Sequence, residues 1–325
     1  MRLRSLLLFT AVCAAGLYGG DAPRIRSFAV EYIGGVKEVP AGAKTIDFWM
    51  PVPHNDAYQE ISHLEIDSTL PYQVATDSSG NRILHVRGDA SQKLRVMLRF
   101  DAVRRERRVD LNHSDGTLPK PDSVELERRL RPDRLVPLDD RIRSLAKQVV
   151  APAASGSDLD KARAICEHVV STMKYDKSGE GWGRGDIYYT CDRRRGNCTD
   201  FHAMFIGFAR ASGIPARFAI GLPLPTARGA GDIAGYHCWA EFYAAGIGWV
   251  PVDASEAAKD PLRRNYFFGA HDENRVEFTR GRDLELKPKQ AAEPLNFFIY
   301  PYAEADGKPL AAVDRKIAYH DIGTQ

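Results

Sequence analysis

The spacing of the apolar residues changes along the chain, and that change restricts the fold more than any other feature. From about residue 25 to 111 the pattern is that of short strands. Residues 24–33 partly alternate, residues 45–50 run into Pro51 and Pro53, residues 82–86 follow a Gly80-Asn81 turn, and residues 94–100 alternate apolar with basic side chains. A period of two marks a sheet with one buried face. Several such runs with turn formers between them predict an all-β, sandwich-like module over 25–111. His54, His63 and His85 are scattered through it and form no catalytic set.

Residues 112–135 are rich in proline and charge, with Leu118-Pro119-Lys120-Pro121 and Arg131-Pro132-Asp133. They read as a linker with one short helix near Val124–Leu130. From there the period becomes helical. A helix is expected from Asp139 to about Val149. Another starts at Ser157 as N-cap, with Asp158 and Asp160 in its first turn and Leu159, Ala162, Ile165, Cys166, Val169 and Met173 as its apolar stripe. A third starts at or near Cys198, is lined by Phe201, Phe205, Phe208 and Ala209, and stops at Gly213 and Pro215. Strands follow at 217–221 and around 237–242 and 249–253. The tail, with residues 296–300, an Asp306-Gly307 turn and residues 311–321, reads as a closing β-hairpin of a unit spanning 136–325.

The start of the third helix carries the chemistry. In Arg195-Gly196-Asn197-Cys198-Thr199-Asp200 a run of turn formers ends and the helix begins. Cys198 therefore lies at the positive end of a helix dipole, which favours the thiolate. Downstream, His237 stands on one strand-like run and Asp253 on the next. A hairpin turn centred on Ala245 sets His237 opposite Asp253 on one face. A thiolate, an imidazole and a carboxylate that orients it are the parts of nucleophilic acyl transfer.

These residues carry a family resemblance. Gly196-Asn197-Cys198-Thr199-Asp200, residues 211–217 (Ala-Ser-Gly-Ile-Pro-Ala-Arg), His237-Cys238-Trp239-Ala240-Glu241 and residues 248–253 (Gly-Trp-Val-Pro-Val-Asp) occur in the order and spacing of the transglutaminase-like superfamily of papain-related thiol enzymes. The chain resembles exported bacterial members over roughly residues 135–280. The resemblance implies an α+β catalytic domain whose Cys-bearing helix packs on an antiparallel sheet, following the β-sandwich-like domain. It implies Cys198 as nucleophile, His237 as general base and acid, and Asp253 as the orienting carboxylate. Family members use an aromatic or Gln side chain as an oxyanion donor beside the nucleophile's N–H, and Tyr188, Tyr189 and Trp182 are the candidates here. No cofactor is implied. The reaction expected is amide or peptide hydrolysis on a protein, peptide or cell-wall peptide. Protein-glutamine cross-linking is the alternative, and an inactive binding module is the alternative of another class. A calcium loop of the Asp-x-Asp-x-Asn-Gly kind is not evident in the sequence.

Charge and cysteine usage narrow the partners. A formal net charge of +2 gives no reason to expect nucleic acid. Arg193-Arg194-Arg195 either lowers the Cys198 pKa, attracts an anionic group, or is a solvated loop. His202, one turn beyond Cys198, either touches the site or bonds locally. Residues 1–20 read as a signal peptide, with Arg2 and Arg4 before an apolar stretch too short to span a membrane stably. Cys13 lacks a lipoprotein context, so the expected location is periplasmic or extracellular, without stable membrane insertion. With Cys198 free, a Cys191–Cys238 disulfide is possible and Cys166 is expected in the core. Cysteine spacing offers no structural zinc site, and no metal is expected.

Overall fold

The computed structural model describes residues 22–112, 122–311 and 313–323. The predicted leader, residues 1–20, and most of the proline-rich part of the linker lie outside them.

The N-terminal module consists of β1 (Ile25–Val36), β2 (Thr45–Val52), β3 (Gln59–Ser68), β4 (Tyr72–Thr76), β5 (Arg82–Asp89), β6 (Arg95–Arg105) and the short β7 (Arg107–Arg108). Helices α1 (Ser123–Arg128), α2 (Asp140–Val150) and α3 (Asp158–Thr172) follow, then β8 (Lys174–Tyr175), α4 (Ile187–Arg193), β9 (Arg195–Gly196) and α5 (Cys198–Ala211). The chain continues through β10 (Ala216–Pro223), β11 (Ala230–Asp232), β12 (His237–Ala244), β13 (Gly248–Val252) and α6 (Ala254–Lys259). It ends with β14 (Ala270–His271), β15 (Arg275–Arg280), β16 (Tyr302–Ala305), β17 (Lys308–Pro309) and β18 (Val313–Asp321).

Two five-stranded sheets form the sandwich, in the orders β11-β18-β1-β6-β3 and β17-β16-β2-β5-β4. Phe28, Val30 and Tyr32 alternate inward from β1, and Ile46, Phe48 and Met50 face them from β2. A methyl on Gly34 would meet Phe48 and Met50 at 3.0 and 3.4 Å, which brings the two inner faces into direct packing. The tail is not a hairpin closing the second unit. β18 runs antiparallel beside β1, with Val30 opposite Tyr319, and β16 pairs with β2. Its alternating apolar side chains bury more area on an open sandwich edge than in a two-stranded hairpin of their own. The sandwich is thus completed by chain on both sides of the second unit, and the expected 25–111 and 136–325 boundaries are redrawn accordingly.

The second unit is a four-stranded antiparallel sheet, β13-β12-β10-β15, with α5 packed on it. Every residue of α5 from Cys198 to Arg210 is buried, because α2, α3 and α4 cover the sides that the sheet leaves open. The helix starts were legible. Asp139 caps α2, Ser157 and Asp160 form a capping box on α3, and Asn197 and Asp200 form one on α5. α4 and α6 were not read from the sequence, since each is under two turns long and shows no full apolar period.

The units share one core. Phe278 of β15 sits edge-on to both Tyr32 and Phe100 of the sandwich, at 6.0 Å in each case. Buried charges bridge them as well. Arg107 of β7 and Arg217 of β10 both bond the fully buried Glu241, whose carboxyl is held well below the usual range because the two guanidiniums outweigh its burial.

Gly221 tests how tightly the site's sheet is built. It pairs with His237 across β10–β12, and a Cβ there would lie 1.9 Å from the Val276 carbonyl oxygen of β15. Backbone cannot give way as a side-chain end can. Gly221→Ala is expected to cost about 1–3 kcal/mol, seen as a lower urea midpoint at unchanged slope.

Candidate active site

Asp200 organises the approach to Cys198. Its Oδ2 accepts the Asn197 N–H at 2.9 Å and the Gly183 N–H at 2.6 Å, while Oδ1 accepts the Gly185 N–H at 3.0 Å. One carboxylate thereby caps α5 and fixes the glycine-rich loop before α4. Gly196 is required for this. Its φ is +156°, and a Cβ would stand 2.1 Å from Asp200 Oδ2. Asn197 completes the cap through Thr199 N–H at 2.9 Å, and its amide donates to the Tyr236 hydroxyl at 3.0 Å. Tyr236 also bonds Thr199 Oγ1 at 2.9 Å. Its place directly before His237 in the sequence was the one available hint of this role.

Cys198 is the first residue of α5, in the turn whose backbone N–H groups lack helical partners. His237, at the start of β12, hydrogen-bonds the thiol through one ring nitrogen, and its Nε2 donates to Asp253 Oδ2 at 2.6 Å. A carboxylate can only accept, so Nε2 carries a proton and Nδ1 is the nitrogen turned to sulfur. The β12–β13 pairing differs from expectation by two residues. Ala240 faces Val252, so the turn centres on Gly246 rather than Ala245, and Asp253 lies just past the strand as the N-cap of α6. A two-residue shift preserves the face, so the two side chains still meet.

Asp253 is fully buried and fully bonded. Ser255 Oγ and the Glu256 N–H reach Oδ1 at 3.0 and 3.1 Å, and Arg275 Nη1 reaches Oδ2 at 3.2 Å. Burial raises its proton affinity, but the charge and hydrogen bond of His237 and the charge of Arg275 outweigh this and hold the carboxyl well below its ordinary range. For His237, burial opposes the imidazolium. The Asp253 charge and hydrogen bond and the contact with Cys198 prevail and push its pKa up to about 10. The Cys198 thiol is held well below the usual thiol range by a hydrogen bond from Cys238 and then, against its burial, by the bond to and charge of His237. These shifts describe a thiolate–imidazolium pair.

Two neighbours complete the pocket floor. Cys238 Sγ lies 3.7 Å from both Thr199 Oγ1 and His202 Nδ1. His202 is fully buried, its Nε2 accepts the Ala254 N–H at 3.1 Å, and burial lowers its pKa. It therefore serves as a neutral brace between α5 and the Asp253 turn. Among the described residues the other cysteines, Cys166, Cys191 and Cys238, are free, so the Cys191–Cys238 disulfide does not form. Cys238 is buried against α5, while Cys191 is half-buried on α4. Burial pushes the Cys166 thiol up to about 12, the Cys191 thiol up to about 11 and the Cys238 thiol well above its ordinary value, opposite in direction to Cys198.

The oxyanion candidates fare differently. Tyr188 does not belong to the site. Its hydroxyl donates to Asp139 at 2.5 Å and Arg141 lies over its ring, because the first turn of α4 presents it to α2. The Tyr189 ring packs on Gly181, and the Trp182 indole N–H donates to the Gly179 carbonyl at 3.1 Å, so both build the glycine-rich loop. Arg193 and Arg194 are exposed, and Arg195 stands 3.8 Å from Asp176. Tyr175, which the sequence did not single out, pairs with Gly196 across β8–β9 and carries the Lys259 ammonium 3.8 Å from its ring centre.

Among the described residues, two clusters hold enough ligating side chains for a metal ion: His54, Asp56 and Glu277, and His237, Asp253 and Glu256. In the first, Arg280 already bonds Asp56 at 2.9 Å and Glu277 at 2.5 Å. In the second, Arg275 and His237 occupy Asp253. A fixed cation on the carboxylate opposes a second one.

The chain is similar to known proteins in sequence and in fold. The model of the Transglutaminase-like superfamily matches residues 143–254. A Haemophilus influenzae protein described as uncharacterized is 31% identical over 323 residues, covering 87% of each chain. A crystal structure described as a "Putative Cysteine Protease from Cytophaga hutchinsonii" superposes with a TM-score of 0.62 at 16% identity, covering 94% of this chain and 93% of that one. The periplasmic domain of TgpA from Pseudomonas aeruginosa superposes with a TM-score of 0.38 at 16% identity, over 73% of this chain and 90% of that one.

The shifted pKa values fix a pH range. Attack needs the thiolate, which is present above the depressed Cys198 pKa. Protonation of a leaving amine needs the imidazolium, which is lost as pH rises through about 10. Turnover is expected to follow a bell whose acid limb lies below the ordinary thiol range and whose alkaline limb lies near pH 10. A profile of kcat/KM on an amide substrate measures both limbs.

Proposed function

The chain belongs to the transglutaminase-like superfamily, and on that premise we propose that it is an amide or peptide hydrolase with Cys198, His237 and Asp253 as its triad. The observation that carries this reading is the buried chain of bonds from the thiol through the imidazole to Asp253. The Cys198 thiolate attacks the carbonyl carbon. The oxyanion forms beside the N–H of the first turn of α5, where helix geometry leaves donors free. His237 gives its proton to the departing amine as the C–N bond breaks, leaving a thioester. Neutral His237 then takes a proton from water, the hydroxide attacks the thioester, and the acid product and the Cys198 thiolate are released.

Hydrolysis is favoured over cross-linking by charge. Lys259 and Lys177 stand over the Tyr175 ring, 3.8 and 5.8 Å from its centre, next to the strand that leads to the nucleophile. The Lys177 ammonium repels a protonated lysine as acyl acceptor and leaves water to resolve the thioester, while Lys259 is paired with Glu256 at 2.7 Å. We place this activity in an exported protein, on the leader-like character of residues 1–20. Among the described residues no helix is long and apolar enough to cross a membrane.

Cys198→Ala is expected to abolish turnover, by a factor on the order of 10⁶, with the thermal melt retained. His237→Ala is expected to be nearly as damaging, and Asp253→Asn to cost on the order of 10⁴. Full activity in folded Cys198→Ala rules the reading out. A glutamine-containing protein offered with a fluorescent primary amine, with ammonia release and amine incorporation both measured, decides the acyl acceptor. Incorporation that outruns hydrolysis reassigns the enzyme to cross-linking.

A further inference from the structure

We propose that Arg275 is a positioning residue of this site, which holds Asp253 in place and sets the pH at which Cys198 becomes nucleophilic. The proposal rests on Cys198 being the nucleophile.

Arg275 opens β15, opposite Pro223 of β10, and is 3% exposed. Its Nη1 reaches Asp253 Oδ2 at 3.2 Å, the same oxygen that takes the His237 proton at 2.6 Å. The other partners of that carboxylate, Ser255 Oγ and the Glu256 N–H, are neutral and sit on Oδ1. Arg275 is therefore the permanently charged group that shares an oxygen with the imidazole. Its guanidinium lies 5.0 Å from the Trp239 ring centre, and that ring lies 6.4 Å from the His237 ring. On its far side Nη2 reaches Asp272 Oδ1 at 3.4 Å, and Arg263 reaches Asp272 Oδ2 at 3.4 Å. A row of alternating charges thus runs from the thiolate through His237, Asp253, Arg275 and Asp272 to Arg263.

The other titratable groups facing this row do not replace Arg275. Asp253 is also faced by His202 and Cys166, and burial holds the first neutral and the second protonated. His237 is faced by Asp253, Cys198 and His202. Arg275 is also faced by Glu256, by Arg104 from β6 and by His271 from β14. His271 is kept neutral by burial and then by Arg275 itself. Glu256 is paired with Lys259 at 2.7 Å.

The direction of the effect follows from charge. A fixed positive charge beside the pair disfavours every added proton. With Arg275 gone, that fixed positive charge is missing from the site, the thiol gives up its proton less readily, and Cys198 needs a higher pH to react. A residue that only packed the core would change the melting temperature and leave that pH where it was.

The test is the rate of Cys198 alkylation by iodoacetamide against pH in the full chain, with the labelled residue identified by mass spectrometry. It needs no substrate. Arg275→Gln is expected to move the pH of half-maximal labelling upward by about one unit, and Arg275→Lys, which keeps the charge, to stay near the parent. Asp272→Asn removes a negative charge from the far side of the guanidinium, on a more accessible residue, and is expected to move the midpoint downward by a smaller amount. A folded Arg275→Gln with the parent midpoint overturns the proposal. If that variant does not fold, an unmoved midpoint in Asp272→Asn overturns it. Parent protein labelled at Cys166, Cys191 or Cys238 instead of Cys198 overturns the nucleophile assignment itself, a separate result.

Discussion

The reciprocal cap of α5 by Asn197 and Asp200 is the interaction on which the rest depends. A helix buried along its whole length cannot leave its first N–H groups to water, and an uncapped start inside the core costs about as much as several lost hydrogen bonds. Asn197 and Asp200 satisfy that start without closing it over. Because Asp200 also takes the Gly183 and Gly185 N–H groups, the same carboxylate fixes the glycine-rich loop before α4. Its burial raises its pKa, and the three backbone donors work against that rise, so fold and site are tied to one ionisable group.

Around that cap the protein maintains several buried charges, and each is answered. Glu241 lies between Arg107 and Arg217, Asp253 between His237 and Arg275, and Arg210 bonds Asp133 at 2.8 Å. Pairs of this kind stabilise little in net terms, since desolvation offsets attraction, but they are strongly directional. Here they hold the sheet, the sandwich and the loop after β13 in one register. The thiol and imidazole arrive from different elements of the chain, and a loosely held sheet would not keep them within bonding distance.

Two things follow from the way the sandwich is closed. Its last strands come from the end of the chain, so the unit that carries Cys198 is inserted between halves of the β module rather than appended to it. Phe278 then places one side chain in both cores. The unit that carries Cys198 and the module around it share a core as well as a chain.

The amino-acid sequence by itself determined the local structure and singled out the residues of the proposed triad. Capping residues, apolar periods and turn formers act within a few residues, which is why Asp139, Ser157 and Asn197 marked their helices and why Cys198, His237 and Asp253 stood out by order and spacing. What depends on distant partners was decided only by tertiary structure. The turn before β13 settled on Gly246, the tail chose the sandwich edge, and Tyr188 turned to Asp139 instead of the thiol. Tyr236, His202, Cys238 and Arg275 gained their roles from neighbours far away in the chain. No short-range signal encodes a contact such as that of Arg275 with Asp253, because its worth arises only when folding has removed the water between them.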